Sequence, residues 1–218
     1  MTTSAAADFV RAHTRIAPAP YVPEVRLHRA DEAFTLWERT EDEAGEEGLP
    51  PPFWAFAWAG GQALGRYVLD HPELVRGRHV LDLAAGSGLV AIAAALAGAA
   101  SVRASEIDVL AVAAIALNAE ANGVAVDATL ADVLDGDGAP ADVVLAGDVF
   151  YERTFAGRVA QFLERAGSRG ADVAVGDPGR AYLPRAGFER LASYDVPVVR
   201  ALEDADVKRT TIWRPTRP

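Results

Sequence analysis

Residues 79–88, His-Val-Leu-Asp-Leu-Ala-Ala-Gly-Ser-Gly, combine a buried-strand pattern with a turn of small residues. The apolar run at 80–83 predicts a parallel strand, and Gly86 and Gly88 would let the backbone approach a ligand that any Cβ would block. A helical pattern follows at about 89–97, and its first amides would point toward that ligand. The sequence therefore predicts a loop that cradles a nucleotide.

Two nucleotide cofactors fit this loop by its spacing alone. Gly86-x-Gly88-x-x-Ala91 matches the dinucleotide fingerprint of NAD(P) enzymes, including an acidic residue about 20 positions later. Asp82 favours S-adenosylmethionine instead, since an acid within the strand, before the first glycine, is typical of the Asp-x-x-x-Gly-x-Gly loop of methyltransferases. It would anchor the loop and face the cationic methionine end. The alternative role for Asp82 is a carboxylate that only braces the loop.

Further acidic residues lie where the next two predicted strands end. Ligands of open parallel sheets bind beyond the carboxyl ends of the strands. Glu106 ends the second strand, where its carboxylate would accept hydrogen bonds from both ribose hydroxyls, and Asp108 is expected to cap the next helix. Asp132 ends the third strand, where it would accept a hydrogen bond from the adenine amine while Val133 packs on the ring. The alternative for Asp132 is a surface turn.

The fourth predicted strand ends in Gly147-Asp-Val-Phe-Tyr151, an acid followed by aromatic residues. A carboxylate at Asp148 can hold an ammonium group or orient an amine, and Tyr151 offers a ring face to a cation. We interpret both as catalytic residues at a site for an amine acceptor. The alternative, a buried strand with a covering loop, accounts for Phe150 but leaves Asp148 and Tyr151 without a role.

An aromatic segment precedes the glycine loop at residues 50–62, where Trp54, Phe56 and Trp58 alternate before a helix predicted at about 62–69. Such a segment is most often ordinary packing. Its position suggests instead a lid over the methionine end of the cofactor, with the two glycines after the last tryptophan permitting close approach. The sequence leaves both interpretations open.

The 218-residue chain is half apolar and carries a formal charge of −10 at pH 7. An acidic chain is a poor partner for nucleic-acid phosphates, so a basic protein or a small neutral molecule is expected instead. The chain has no cysteine and no metal-ligand spacing among its histidines, so no metal is expected. With no signal-peptide layout and no apolar run of membrane-spanning length, we expect a cytoplasmic protein without membrane attachment.

The order of elements predicts an α/β fold, a Rossmann-like seven-stranded, mostly parallel sheet with one antiparallel strand and helices on both faces. The strands are expected at 79–83, 101–106, 127–131, 142–146, 172–176, 189–196 and 208–214, with helices between the first five and a closing hairpin. Residues 1–50 are expected to form an N-terminal extension to a domain at 51–218. The extension would hold a short helix at 5–13, possible strands at 24–29 and 33–39, and an acidic run at 41–47.

Taken together, these residues resemble the seven-β-strand methyltransferases. More narrowly, they resemble the bacterial members of the family that methylates lysines in the β-subunit of electron transfer flavoprotein. The glycine loop marks only the superfamily, whereas the tryptophan segment and the Asp-x-Phe-Tyr loop are more specific. The resemblance covers most of the chain and is carried by residues 22–28, 51–62, 82–88, 114–119 and 147–151.

This resemblance implies an S-adenosylmethionine-dependent protein-lysine N-methyltransferase, with the flavoprotein β-subunit as the expected partner. It implies that Asp148 and Tyr151 serve the acceptor, and that the cofactor contacts Asp82, Gly86, Glu106 and Trp58. Glu106 stands where family members more often have Asp, and Ala59 where many have Pro. Neither change removes a needed functional group.

Alternatives to this prediction come from three directions. The same scaffold methylates ribosomal proteins, protein N-termini and small amines, and fold does not fix substrate. An NAD-dependent oxidoreductase is favoured only by the glycine spacing. A non-catalytic binding module is disfavoured by the intact loop and by the Asp148 and Tyr151 pair.

Overall fold

Residues 59–216 build a seven-stranded sheet in a computed structural model that describes residues 2–30 and 51–216. The strands are β1 (Arg15–Pro18), β2 (Arg26–Arg29), β3 (His79–Leu83), β4 (Ser101–Glu106), β5 (Asp127–Leu130), β6 (Val143–Gly147), β7 (Asp172–Asp177), β8 (Phe188–Pro197) and β9 (Val207–Pro215). The helices are α1 (Thr3–His13), α2 (Ala59–Asp70), α3 (Leu89–Leu96), α4 (Val109–Ala121), α5 (Arg153–Ser168) and α6 (Arg200–Glu203).

The strand order in the large sheet is β5-β4-β3-β6-β7-β9-β8. The chain runs outward from β3 to β5, returns to β6, and continues outward on the other side, so strand order reverses between β3 and β6. Strand β9 lies antiparallel between β7 and β8, whereas the other pairings are parallel. The predicted mostly parallel sheet with one antiparallel strand is confirmed.

Both faces of the sheet are covered by helices, as predicted. On β3 the side chains alternate, so that Val80 packs toward α2, α3 and α4, while Leu81 and Leu83 pack toward α5. The alanine-rich sequence of α3 and α4 allows these helices to lie close to the strands. A third cluster joins Phe9 of α1 to Trp54 and to α4.

The connection from β5 to β6 contains no helix, contrary to the expectation of helices between the first five strands. Its twelve-residue span includes Gly136, Gly138 and Pro140, which favour turns and oppose a continuous helix. Conversely, α2 begins at Ala59 rather than near residue 62, because the amide of Gln62 already donates to the carbonyl of Trp58.

In the N-terminal part, β2 pairs with β1, and α1 packs on α4. The strand predicted at 33–39 and the acidic run at 41–47 lie outside the described residues. Within the described ranges, no helix is both long and apolar enough to cross a membrane.

The first turn of α2 packs directly on the carboxyl ends of β6 and β7, backbone against backbone. A Cβ on Gly60 would lie 2.3 Å from the carbonyl oxygen of Gly176, and one on Gly147 would lie 2.8 Å from the Cα of Gly61. Only glycine therefore fits at Gly60, Gly147 and Gly176, and this contact fixes where α2 begins relative to the strand ends.

We predict that Gly60→Ala lowers the free energy of unfolding by about 2 kcal/mol, because the new methyl group meets backbone atoms that cannot move aside. Its neighbour provides a matched control. A Cβ on Gly61 meets only a methyl carbon of Val90 at 4.0 Å, so Gly61→Ala should be neutral or gain up to about 1 kcal/mol of helix propensity. Urea unfolding of both variants checks this. Equal losses in both would contradict the proposed contact.

Candidate active site

Most of the predicted site residues lie at the carboxyl edge of the sheet, in two adjoining groups. The first surrounds the glycine loop and holds Asp82, Gly86, Gly88 and Glu106. The second lies at the end of β6 and the start of α2 and holds Trp58, Asp148 and Tyr151. These groups adjoin, since the charges of Glu106 and Asp148 both act on the Tyr151 phenol.

Asp82 is buried within β3, with 1% of its surface exposed, and its Oδ2 accepts a hydrogen bond from the amide of Ala91 at 2.9 Å. Ala91 lies in the first turn of α3, so the carboxyl ties the strand to the helix after the loop. Burial raises the pKa of Asp82 to about 8. These contacts match the role of Asp82 as a carboxylate that braces the loop. Contact between Asp82 and the cofactor stays a prediction.

Glu106 connects the end of β4 to the glycine loop. Its Oε1 accepts from the amide of Gly86, and its Oε2 from the amide of Ile107, each at 2.9 Å. Burial raises the pKa of Glu106, while the hydrogen bond from Gly86 lowers it. Asp108 caps α4 through a 2.8 Å hydrogen bond from the amide of Leu110, as predicted.

The two loop glycines have different surroundings. Both have positive φ, 54° at Gly86 and 75° at Gly88. A Cβ on Gly86 would meet nothing within 4 Å, whereas one on Gly88 would lie 3.1 Å from the side chain of Ile115. Gly86 therefore faces open space where a ligand can approach, and Gly88 allows α3 to pack on α4.

Asp132 and Val133 follow the end of β5, directly after Ala131, whose amide donates to the carbonyl of Glu106 at 2.8 Å. Asp132 is exposed, pairs with Arg158 of α5 at 2.8 Å, and accepts from the amide of Leu134 at 3.0 Å. The hydrogen bond from Arg158 lowers the pKa of Asp132. Both residues line a cleft of about 490 Å³ that also includes His79, at the opposite end of β3 from the glycine loop. These contacts fit the surface turn that we set against adenine binding.

Asp148 is buried at the end of β6 with φ of 59°, held by a hydrogen bond from its own amide to the carbonyl of Gly176. Its Oδ2 accepts a very short hydrogen bond from the amide of Gly60, at the positive end of α2. Its Oδ1 pairs with Arg180 at 2.6 Å. Burial raises the pKa of Asp148 to about 6, against the opposing effect of the Arg180 charge.

Sequence reasoning did not identify Arg180 or Glu203 as site residues. Arg180 follows β7 in the turn Asp177-Pro-Gly-Arg180, and a polar turn at a strand end is the signal that could have indicated it. Glu203 ends the short helix α6 between β8 and β9, and its Oε1 lies 3.2 Å from Nη2 of Arg180. Nothing in the local sequence indicates that this helix reaches the site.

The aromatic segment packs into the core through two of its rings, and its last tryptophan lies at the candidate site, so the lid over the cofactor stays a prediction. Trp54 and Phe56 are buried in the cluster beneath α4. Trp58 is half-buried at the start of α2, where its Nε1 donates to the carbonyl of Phe53 at 2.8 Å and its ring lies 6.0 Å from the guanidinium of Arg180. The Phe53 ring lies 5.8 Å from Trp58 and 5.6 Å from Tyr151.

Tyr151 continues this row of rings, with the Phe155 ring 5.6 Å from its own, and is 49% exposed. Burial of its hydroxyl raises the pKa of Tyr151, as do the charges of Glu106, Glu152 and Asp148. It is therefore a neutral phenol at physiological pH. Phe150 is fully buried, as the strand-and-loop interpretation required.

The first group fits a nucleoside cofactor with a cationic end. The space over Gly86 is open, each oxygen of Glu106 accepts one hydrogen bond and retains capacity for another, and the adjacent Ile107 is 75% exposed. Such an apolar side chain can cover a base. Carboxylates and aromatic rings at the second group suit a positive charge.

The strand order and this site define the class of seven-stranded methyltransferases. The family model "Ribosomal protein L11 methyltransferase (PrmA)" matches residues 63–173. The solved 16S rRNA N2 G1207 methyltransferase of T. Thermophilus, in complex with AdoMet and guanosine, aligns with a TM-score of 0.58 at 21% identity, covering 94% of this chain and 50% of that chain. That likeness shows the fold.

The particular family follows from closer relatives. The electron transfer flavoprotein beta subunit lysine methyltransferase of Xenopus laevis is 36% identical over 94% of this chain and 85% of its own length. The protein of the same name from Danio rerio is 39% identical over 76% of this chain and 67% of its own. The chain belongs to this family of lysine methyltransferases. Membership confirms the predicted S-adenosylmethionine-dependent enzyme and decides against the NAD alternative.

The raised pKa of Asp82 predicts a pH-dependent stability. The folded protein keeps this proton up to about pH 8, whereas an exposed aspartate releases it near 3.8, so the free energy of unfolding should fall as pH rises between these values. Asp82→Asn cannot titrate and can still accept from Ala91. We expect the variant to lose less thermal stability than the wild type between pH 5 and pH 8.

Asp135→Asn is the control for this measurement, because Asp135 is an exposed partner of Arg158. Its stability profile should run parallel to that of the wild type. Parallel profiles for Asp82→Asn and the wild type would show instead that Asp82 is already ionised at neutral pH.

Proposed function

We propose that this enzyme transfers methyl groups from S-adenosylmethionine to lysine side chains of the electron transfer flavoprotein β-subunit. The observation that carries the acceptor half is Asp148, a buried carboxylate at the junction of β6 and α2, with an aromatic row beside it. The names of the relatives support the substrate. A carboxylate and rings form a surface suited to an aliphatic amine.

The glycine-loop group would hold the cofactor, which supplies a methyl group on a sulfonium. Glu106 would accept hydrogen bonds from the ribose hydroxyls, and these would partly replace the hydrogen bond that it accepts from the amide of Gly86. Gly86 would leave room for close approach, and Ile107 would cover the adenine. Asp82 would act through the loop by fixing α3, and Trp58 would lie beside the methionine end.

Asp132 and Val133 stay proposed contacts of the adenine. For that role the Asp132 carboxylate would share its oxygens between Arg158 and the adenine amine, since its contact with Arg158 is exposed and adjustable. Val133 is half-buried against the α5 layer, so it would need only to present one edge to the ring.

The acceptor nitrogen must be neutral and aligned with the methyl group, and water must be kept away. Asp148 would accept a hydrogen bond from the amine through Oδ2, which among residues 2–30 and 51–216 accepts only from the amide of Gly60. Tyr151 would direct the amine from the opposite side as a neutral phenol. The Phe53, Trp58 and Tyr151 rings would exclude water.

When the nitrogen bonds to the methyl carbon, the carbon–sulfur bond breaks and the positive charge passes from sulfur to nitrogen. The nitrogen then loses a proton to solvent. Burial of the acceptor favours the neutral amine beforehand, because desolvation disfavours a charged lysine.

The match to the L11 methyltransferase model does not favour a ribosomal substrate. It covers residues 63–173, which include the glycine loop, Glu106 and Asp148. It leaves out Trp58, Arg180 and Glu203, which surround Asp148 and shape the acceptor side. The shared segment thus corresponds mainly to the cofactor half, whereas the flavoprotein methyltransferase relatives match over most of the chain.

Incubation of purified electron transfer flavoprotein with this enzyme and S-adenosylmethionine should add steps of about 14 Da to the β-subunit in intact-protein mass spectrometry, one CH₂ for each lysine proton replaced. Asp148→Asn should lower the rate about 100-fold or more while cofactor affinity stays nearly intact, because the amine loses its orientation. Asp82→Ala should instead weaken cofactor binding, measured by calorimetry.

Glu189→Gln is the control, because Glu189 pairs only with Arg214 among the described ion pairs and joins β8 to β9, and it should leave both properties unchanged. Absence of a mass shift with the wild type would overturn the substrate. Full turnover by Asp148→Asn would overturn the assignment of the acceptor site.

A further inference from the structure

The carboxylate assigned to the acceptor lysine already binds a cation of its own chain. Nε and Nη2 of Arg180 both approach Oδ1 of Asp148, at 2.8 and 2.6 Å. Oδ2 on the other side accepts from the amide of Gly60. Oδ1 thus pairs with the guanidinium, whereas Oδ2 can accept one more hydrogen bond.

Arg180 is held in this position from several directions. Oδ1 of Asp177 accepts from the amides of Gly179 and Arg180 at 2.7 and 2.8 Å, which fixes the turn. Glu203 pairs with Nη2 at 3.2 Å, and the Trp58 ring lies 6.0 Å from the guanidinium carbon. The Arg180 side chain is only 21% exposed. These contacts hold the Arg180 guanidinium in place within the site, unlike a charge on an exposed side chain.

A carboxylate without this partner would be poorly suited to methyl transfer to an amine. Its full negative charge would stabilise a lysine as ammonium, the form that has no lone pair to attack. In a buried position it would also take up a proton itself near neutral pH, and its O–H would then donate to the amine and occupy the lone pair that must attack. An adjacent guanidinium opposes both effects.

We propose that Arg180 is a positioning residue of the acceptor site: it compensates the charge of Asp148, so that Asp148 orients the incoming lysine as an amine rather than holding it as an ammonium. The effect of Arg180 on the acceptor lysine rests on the proposed function. The effect of Arg180 on the charge of Asp148 rests only on the contacts within this chain.

Besides Arg180, the amide of Gly60 and the carboxylate of Glu203 act on Asp148 from the surrounding elements. The amide of Gly60 on α2 favours its ionised form, and Glu203 on α6 opposes it. Lys208 on β9 lies 3.5 Å from the second oxygen of Glu203 and so moderates that charge. Tyr151 is uncharged. Removal of Arg180 and removal of the Glu203 charge should therefore move the titration of Asp148 in opposite directions.

The test measures kcat/KM for methylation of the flavoprotein β-subunit against pH. In Arg180→Met the acidic limb should move to higher pH by roughly one unit or more, with activity recovering in alkaline buffer. Arg180→Lys keeps the charge but not the planar fork, so its rate should fall while its limb stays near that of the wild type. Glu203→Gln should move the limb to lower pH.

Arg66→Met is the matched control. Arg66 also has a 21% exposed side chain and pairs with two carboxylates, Glu24 at 2.7 Å and Asp70 at 2.8 Å, on the outer part of α2. Its pH profile should keep the wild-type shape. A uniform loss of rate across pH in Arg180→Met, or equal limbs in the Met and Lys variants, would overturn the proposal.

A second measurement does not depend on the substrate. Carbon-13 NMR of aspartate carboxyls, with the Asp148 signal assigned by its loss in Asp148→Asn, gives the titration of Asp148 directly. Its midpoint should rise in Arg180→Met, fall in Glu203→Gln and stay unchanged in Arg66→Met. An unchanged midpoint in Arg180→Met overturns the proposal. A wild-type enzyme inactive on the flavoprotein would overturn only the proposed substrate, and this titration would then decide the role of Arg180.

Discussion

The contact between the first turn of α2 and the ends of β6 and β7 determines the rest of the site. Three glycines, Gly60, Gly147 and Gly176, let backbone meet backbone where side chains would otherwise separate the layers. The helix then begins at the strand ends, the amide of Gly60 in its first turn donates to Asp148, and Trp58 precedes this turn. If a methyl group pushed α2 away from the strands, the start of the helix, the amide of Gly60 and Trp58 would all move away from Asp148.

The same edge of the sheet buries several carboxyl groups, and each is stabilised differently. Asp82 has a single amide partner, and burial raises its pKa to about 8, so it braces the loop as a neutral acid. Glu106 accepts from two amides and stays half-buried beside open space. Asp148 combines an amide with a guanidinium. The bracing by Asp82, and the roles proposed for Glu106 in ribose binding and for Asp148 in amine orientation, thus depend on the partners each acid has rather than on the residue type.

Local patterns predict the parts of this structure that local chemistry determines. The alternation in β3 and the glycine turn after it predict a strand and a loop at the observed positions, and Asp108 caps α4 as its sequence context indicates. Two glycines before Gln62 suggest a loop, yet tertiary packing makes them helical. The partner of Gly88 is Ile115, far along the chain, so only the structure distinguishes its role from that of Gly86.

Around Asp148, too, local sequence predicts only some of the residues that the structure brings together. Asp148 and Tyr151 are recognisable from their position at a strand end, but Arg180 and Glu203 arrive from two later connections, 32 and 55 residues after Asp148. Pairing of β9 between β7 and β8 brings those connections to the site, and no short-range pattern encodes that arrangement. Between β5 and β6 the glycines and the proline oppose a helix, and this local signal outweighs the expected alternation of strands and helices.

The most direct test is a crystal structure of the enzyme with S-adenosylhomocysteine, in which the position of the sulfur relative to Asp148 is measured. The account predicts that the ribose hydroxyls bind Glu106 over Gly86 and that the sulfur faces Asp148 beside Trp58. A cofactor at the His79 end of the neighbouring cleft, away from Glu106 and Gly86, or a sulfur directed away from Asp148, would contradict it.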